Sequence, residues 1–132
     1  MIWKSVLLTV ILVPVVTLLI PRHLHYETVE AYYIPTSIPE ITNKFAKQYG
    51  VNPEHLAKVM KCESNGKQTA RGDGNHAIGV FQFHESTFNL FEKQMGEDLD
   101  INSYYDQIKL TSWAFAHGKQ KHWTCAKIVG LL

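Results

Sequence analysis

The sequence predicts a mainly α-helical domain of α+β type, with several helices and one short β element, preceded by an N-terminal hydrophobic helix. Three observations carry that prediction. Apolar residues recur at helical spacing in successive windows from Ile38 onward, and most windows are bounded by a capping residue or a glycine. A glycine-rich polar loop, Gly66 to His76, leads into an apolar run, Ala77 to Phe83, with the length and flanks of a strand or hairpin. Near the start, Lys4 precedes an unbroken uncharged run from Ser5 to Ile20 that is rich in Val, Leu and Ile.

That first run is read as a signal or membrane anchor over residues 1–21. About 20 apolar residues suffice to span a bilayer, whereas a signal h-region is roughly 7 to 15. The small-x-small triplet Val29-Glu30-Ala31 lies well past the run, behind Pro21 and Arg22, so an uncleaved anchor is expected. The protein is accordingly expected to be exported and membrane-anchored, or secreted if the segment is cleaved. Residues 22–37 hold three Tyr and Pro35 without helical periodicity and read as an extended tether reaching on the order of 60 Å. Residues 38–132 form the folded domain.

Within that domain Ile38, Ile41, Phe45 and Tyr49 share one helical face, and Gly50 stops the run. A second helix starts at Asn52 and Pro53, because an Asn side chain accepts from free first-turn amides and proline presets φ. After Glu85-Ser86-Thr87 a third helix directs Phe88, Phe91 and Met95 inward and stops at Gly96. The stretch Asp100-Ile101-Asn102-Ser103 caps a fourth, which runs through Gln107, Leu110, Trp113 and Ala114 to near Gly118. A short helix is expected between Trp123 and Leu132.

Charge is nearly balanced, with 13 Lys and Arg against 12 Asp and Glu, and no basic stripe is present to displace phosphate counterions. Nucleic acid is therefore not an expected partner. A weakly charged or neutral substrate fits better, and a single small domain is expected to act as a monomer. The chain has two cysteines, Cys62 and Cys125. An oxidising compartment would let them pair, closing a loop that stabilises by roughly 4 kcal/mol on the chain-entropy account; two buried free thiols are the alternative.

The most informative position is Glu63. Leu56, Val59, Met60 and Glu63 lie on one helical face, so a carboxyl group ends an otherwise apolar stripe. Partial desolvation there raises its pKa and keeps it protonated near neutral pH, as a general acid requires. A side chain turned to solvent, or paired with Lys67, is the alternative.

Cys62-Glu63-Ser64 is followed, past the glycine-rich loop, by Gly79-Val80-Phe81-Gln82. This order resembles the Glu-Ser and Gly-x-x-Gln motifs of the soluble lytic transglycosylase catalytic domain, within the lysozyme-like superfamily. Cys62, together with Trp123-Thr124-Cys125, is similar to the resuscitation-promoting-factor branch, where a Cys beside the catalytic Glu pairs with a C-terminal one. The resemblance covers residues 38 to 129. It implies cleavage of the β-1,4 bond between N-acetylmuramic acid and N-acetylglucosamine in peptidoglycan, with no cofactor, by a protein facing the cell wall. Glu63 would be the catalytic acid and then the base; a lysozyme-type hydrolase or an inactive glycan-binding module on the same fold are the alternatives. Ser64 would orient the Glu63 carboxyl, Gln82 would line the cleft, and Gly79 would let backbone approach the glycan. Phe81 and Phe83 are candidates for stacking on sugar faces or for core packing. Asp73 and Glu85 are candidates for a second carboxylate, and Asp73 is equally a plain turn residue beside Gly72 and Gly74.

One segment departs from the family pattern. Where many members carry Tyr-Asn-x-Gly in a late helix, this chain has Phe115-Ala116-His117-Gly118, so Trp113 and His117 are expected to contribute instead. No metal is expected, because His76, His84, His117 and His122 show no ligand set at helical i, i+4 spacing. Asp98-x-Asp100-x-Asn102 has the start of a calcium loop without its Gly or its closing Glu, and reads better as helix capping.

Overall fold

A computed structural model describes residues 34–132. The expected anchor, and the tether up to residue 33, lie outside the described residues. Among those described, no helix is long and apolar enough to cross a membrane.

The first helix, α1 (Ile38–Tyr49), begins with a reciprocal cap. Ser37 accepts from the Glu40 amide, and the Glu40 carboxylate accepts from the Ser37 amide. Gly50 ends it at φ 69°, a left-handed conformation that glycine adopts without a Cβ penalty. Asn52 caps α2 (Pro53–Ser64) by accepting from Glu54 N–H at 2.9 Å, and Asn65 closes the other end. The first helix therefore stops at Gly50, and the second starts at Asn52, as the sequence predicts.

Three two-residue strands follow: β1 (Arg71–Gly72), β2 (Ala77–Ile78) and β3 (Phe83–His84), in antiparallel order β1-β2-β3. Arg71 pairs with Ile78, and Ile78 with Phe83. A 3-10 turn, Asp73–Asn75, joins the first two. The expected short β element is thus a miniature sheet. Gly79 to Gln82 forms a tight turn inside the apolar run, with Gln82 N–H donating to Gly79 O at 3.2 Å.

Next come α3 (Glu85–Met95), stopped by Gly96, and α4 (Tyr104–Ala116), capped by Ser103, which accepts from Asp106 N–H at 3.2 Å. Asp100 accepts from Asn102 N–H at 2.8 Å in the turn that precedes the Ser103 cap. The last helix, α5, is only Thr124–Ile128, and a 3-10 turn, Gln120–His122, precedes it.

Helix α4 runs through the middle of the domain and packs against α1, α2 and α3. Ile41, Phe45, Leu56, Val59, Phe88, Phe91, Ile108 and Leu110 are buried together there. Burial of each such side chain contributes roughly 1.5–3 kcal/mol before conformational entropy is counted. Helix α5 packs on α2, and this contact brings the C-terminal segment to the end of the helix that carries Glu63.

Candidate active site

Helix α2 places the site. Leu56, Val59 and Met60 are buried in the core, and Glu63, one turn beyond Val59 on the same face, is half-buried. Removal of water around it raises the Glu63 pKa above the ordinary carboxyl value, and a backbone hydrogen bond from Cys125 partly offsets the rise. That bond runs from Cys125 N–H to Glu63 Oε1 at 3.4 Å, long for its type. A carboxyl so placed holds its proton at higher pH than a solvated one.

Ser64 does not bond the Glu63 carboxyl. Its hydroxyl donates to Val80 O at 2.7 Å, lies 3.4 Å from Met60 O, and accepts from Gly66 N–H at 3.1 Å. What it orients is the end of α2, which it fastens to the turn leading to Gln82. Gln82 holds a left-handed φ of 50°, a conformation that costs a non-glycine residue about 1–3 kcal/mol. Its Nε2 donates to Gly79 O at 2.8 Å, and its Oε1 lies against Gly72, where an added Cβ would come within 2.5 Å of it. With Phe83, His84, Thr87, His122 and Trp123, Gln82 lines a polar cavity of about 250 Å³.

The packing corrects one expectation and decides between the alternatives of another. Gly79, expected to admit the glycan, is approached instead from inside the protein: a Cβ there would fall 2.1 Å from Gln107 Nε2. Phe81 and Phe83, expected either at a sugar face or in the core, are core residues at 0% and 2% exposure, so neither ring is available for stacking. Both rings meet Trp123 edge-on.

Gln107 was visible in the sequence only as one residue of the fourth helix. It is fully buried; its Oε1 accepts from Phe81 N–H at 3.0 Å, and its Nε2 donates to Ile78 O at 3.1 Å and Ile101 O at 2.6 Å. The amide therefore spans the turn that presents Gln82. An amide among Leu110 and Ala114 on an apolar stripe was the available signal. Trp123, buried at 4% exposure, ties the same turn to the C-terminal segment by donating Nε1–H to Phe81 O at 3.0 Å.

Asp73 is exposed and paired to His84 Nε2 at 3.1 Å. Trp113 and His117 stack on each other at 4.4 Å between centroids, with the Trp113 ring also beside Phe91 and under the Lys119 ammonium. Among the described residues, the hydrogen bonds and ring contacts of these three side chains do not reach Glu63 or Gln82. An apolar groove of about 330 Å³ between α1 and α2 contains none of the candidate site residues. Among the described residues, no three His, Cys, Asp or Glu side chains come together as a metal-binding group.

Cys62 and Cys125 are joined in a disulfide, with Cα atoms 5.8 Å apart. Glu63, the Val80–Gln82 turn and the Trp123–Cys125 segment are thus held together by a hydroxyl, a carboxyl, an indole and a covalent bridge. The family described as Transglycosylase SLT domain matches residues 40–120, more than half of the chain and inclusive of both Glu63-Ser64 and Gly79 to Gln82. The chain belongs to the transglycosylase SLT domain family. No curated protein and no solved structure gives a significant match. Cys125 and Trp123 fall beyond the matched region.

Proposed function

We propose that the protein cleaves the β-1,4 bond between N-acetylmuramic acid and N-acetylglucosamine in peptidoglycan, as a lytic transglycosylase with one catalytic carboxyl group, Glu63. The observation that carries this reading is a half-buried carboxyl, its pKa raised by desolvation, at the end of α2 next to the turn of the Gly-x-x-Gln motif, within an SLT domain match.

In the first step Glu63 gives its proton to the glycosidic oxygen as the C1–O bond breaks. The carboxylate so formed then takes the proton of the muramyl C6 hydroxyl, whose oxygen bonds to C1. The product is a 1,6-anhydro end, and Glu63 is again protonated. Because the nucleophile belongs to the sugar, neither water nor a second carboxylate is needed, unlike two-carboxylate glycoside hydrolysis. Gln82 would border the bound strand through its cavity. The N-terminal hydrophobic segment would hold the domain at the membrane, facing the wall, as a monomer.

The test is mass analysis of the muropeptides released from purified sacculi by wild type and by Glu63→Gln. Anhydro ends from the wild type, and turnover lower by roughly 10²–10⁴-fold in the variant with binding retained, support the reading. Reducing ends throughout would assign a lysozyme-type hydrolase; binding without turnover in the wild type would assign a glycan-binding module.

A further inference from the structure

Glu63 has two carboxyl oxygens, and the structure treats them differently. Oε1 faces the Cys125 amide, an N–H donor that needs a lone pair on its partner. A protonated carboxyl accepts best through its carbonyl-like oxygen, which leaves the proton on Oε2. The donor is a main-chain group, so no substitution of a neighbouring side chain supplies or removes it. Its position depends on what holds α5.

That helix is five residues long, too short to gain much from its own hydrogen bonds. Ala126 within it is fully buried, and it is held from two further directions. Trp123, just before it, is anchored in the core and bonded to Phe81 O; Cys125 is bonded through sulfur to Cys62, the residue adjoining Glu63. The bridge is therefore the covalent tie between the amide donor and the helix that bears its acceptor.

Building on the reading of Glu63 as the acid, we infer that the Cys62–Cys125 bridge is a positioning device for it, seating the Cys125 amide on Oε1 so that the proton occupies Oε2, the oxygen left for substrate. Catalysis is then redox-dependent. Cys62 is exposed, so an external dithiol reaches its sulfur. A thiolate attacks Cys62 Sγ and expels the Cys125 thiolate; the second thiol of the reagent resolves the mixed disulfide. The reagent is oxidised to a disulfide, and the protein gains two thiols. Trp123 and Ala126 keep α5 docked, while without the bridge the Cys125 amide relaxes away from Oε1, already 3.4 Å off.

The experiment has two arms, both on the full-length protein. In the first, the ¹⁵N-labelled oxidised wild type is titrated with acid and the Cys125 amide shift is followed. A transition that vanishes in Glu63→Gln supports the inference; a flat Cys125 amide overturns it. In the second, glycan turnover is measured for wild type with and without dithiothreitol, and for Cys62→Ala/Cys125→Ala, each checked by far-UV circular dichroism. A fall of at least about tenfold with helicity intact in the reduced wild type and in the double variant, reversed in the wild type by oxidised glutathione, supports positioning, since a loss of 1.4 kcal/mol in transition-state stabilisation has that size. Unchanged turnover in the folded double variant overturns it. If the variant unfolds, the amide titration decides. An oxidised wild type that cuts no glycan would defeat the proposed function, yet leaves the amide titration able to decide the seating of Oε1.

Discussion

The Ser64 hydroxyl donates to the Val80 carbonyl at 2.7 Å, so the last residue of the helix that bears Glu63 is fixed to the turn that ends in Gln82. Two motifs far apart in sequence are thereby set at a constant separation. Ser64→Ala removes the donor and leaves a carbonyl of fully buried Val80 without this partner, a loss of about 1–3 kcal/mol. Urea denaturation should register it as a lower midpoint with unchanged slope. On the proposed function, turnover should fall more than glycan binding does, because Glu63 and Gln82 lose their common frame. A variant with wild-type kcat would show that this bond is structural only.

Burial of Glu63 also makes a prediction about stability, and its sign follows from linkage. The folded-state pKa is raised, so between the unfolded and folded values the folded protein holds a proton that the unfolded chain has lost. Stability from this group is fully present below the unfolded value and falls as pH rises through the folded one. Glu63→Gln removes that penalty. The variant should therefore melt above wild type at pH 7, with the difference shrinking as pH drops below the ordinary carboxyl range. Melting curves of the two proteins across pH 3 to 8 would settle the matter, and a difference independent of pH would refute it.

Helix boundaries were legible in the sequence where they are set locally: Asn52 with Pro53, Gly50 and Gly96 each act within one turn of chain. The half-burial of Glu63 was legible as the end of an apolar stripe, but the stripe alone did not single it out as a site residue; Ser64 beside it and the later Gly79 to Gln82 motif did. The support of the site was not. Gln107 meets Phe81 from 26 positions away, Trp123 meets it from 42, and neither pairing leaves a periodicity to read. Gly79 illustrates the same limit: its sequence context suggests space for a ligand, while the space is filled by an amide from a distant helix.

That filled space makes Gly79 and Gln107 an interacting pair. Gly79→Ala adds a methyl 2.1 Å from Gln107 Nε2 at a φ of 76°, so both a clash and backbone strain oppose it. Gln107→Ala leaves the Phe81 amide and the Ile78 and Ile101 carbonyls without this partner, at about 1–3 kcal/mol for each buried group left unsatisfied. In Gly79→Ala/Gln107→Ala the clash is gone, although the strain remains. The double variant should thus be destabilised by less than the sum of the singles, with a coupling of roughly 0.5–3 kcal/mol in denaturant unfolding. Additive losses would mean that the glycine is required for its φ alone.

Asp73 separates the one-carboxylate mechanism from its hydrolytic relative. Its side chain is 70% exposed and engaged with His84, far from the desolvation that marks Glu63. An exposed ion pair of this kind adds little to stability, so Asp73→Asn should fold and melt much as wild type does. If the muramyl C6 hydroxyl is the nucleophile, the variant should retain turnover within about threefold, since one carboxyl supplies and recovers the proton. If a water is activated by a second carboxylate, loss of that base should cost on the order of 10²-fold or more, and the residual products should carry reducing ends. Turnover and end-group analysis on the same digest read both quantities at once. A collapse of activity in Asp73→Asn, with Glu63 untouched, would replace the transglycosylase mechanism by a hydrolytic one.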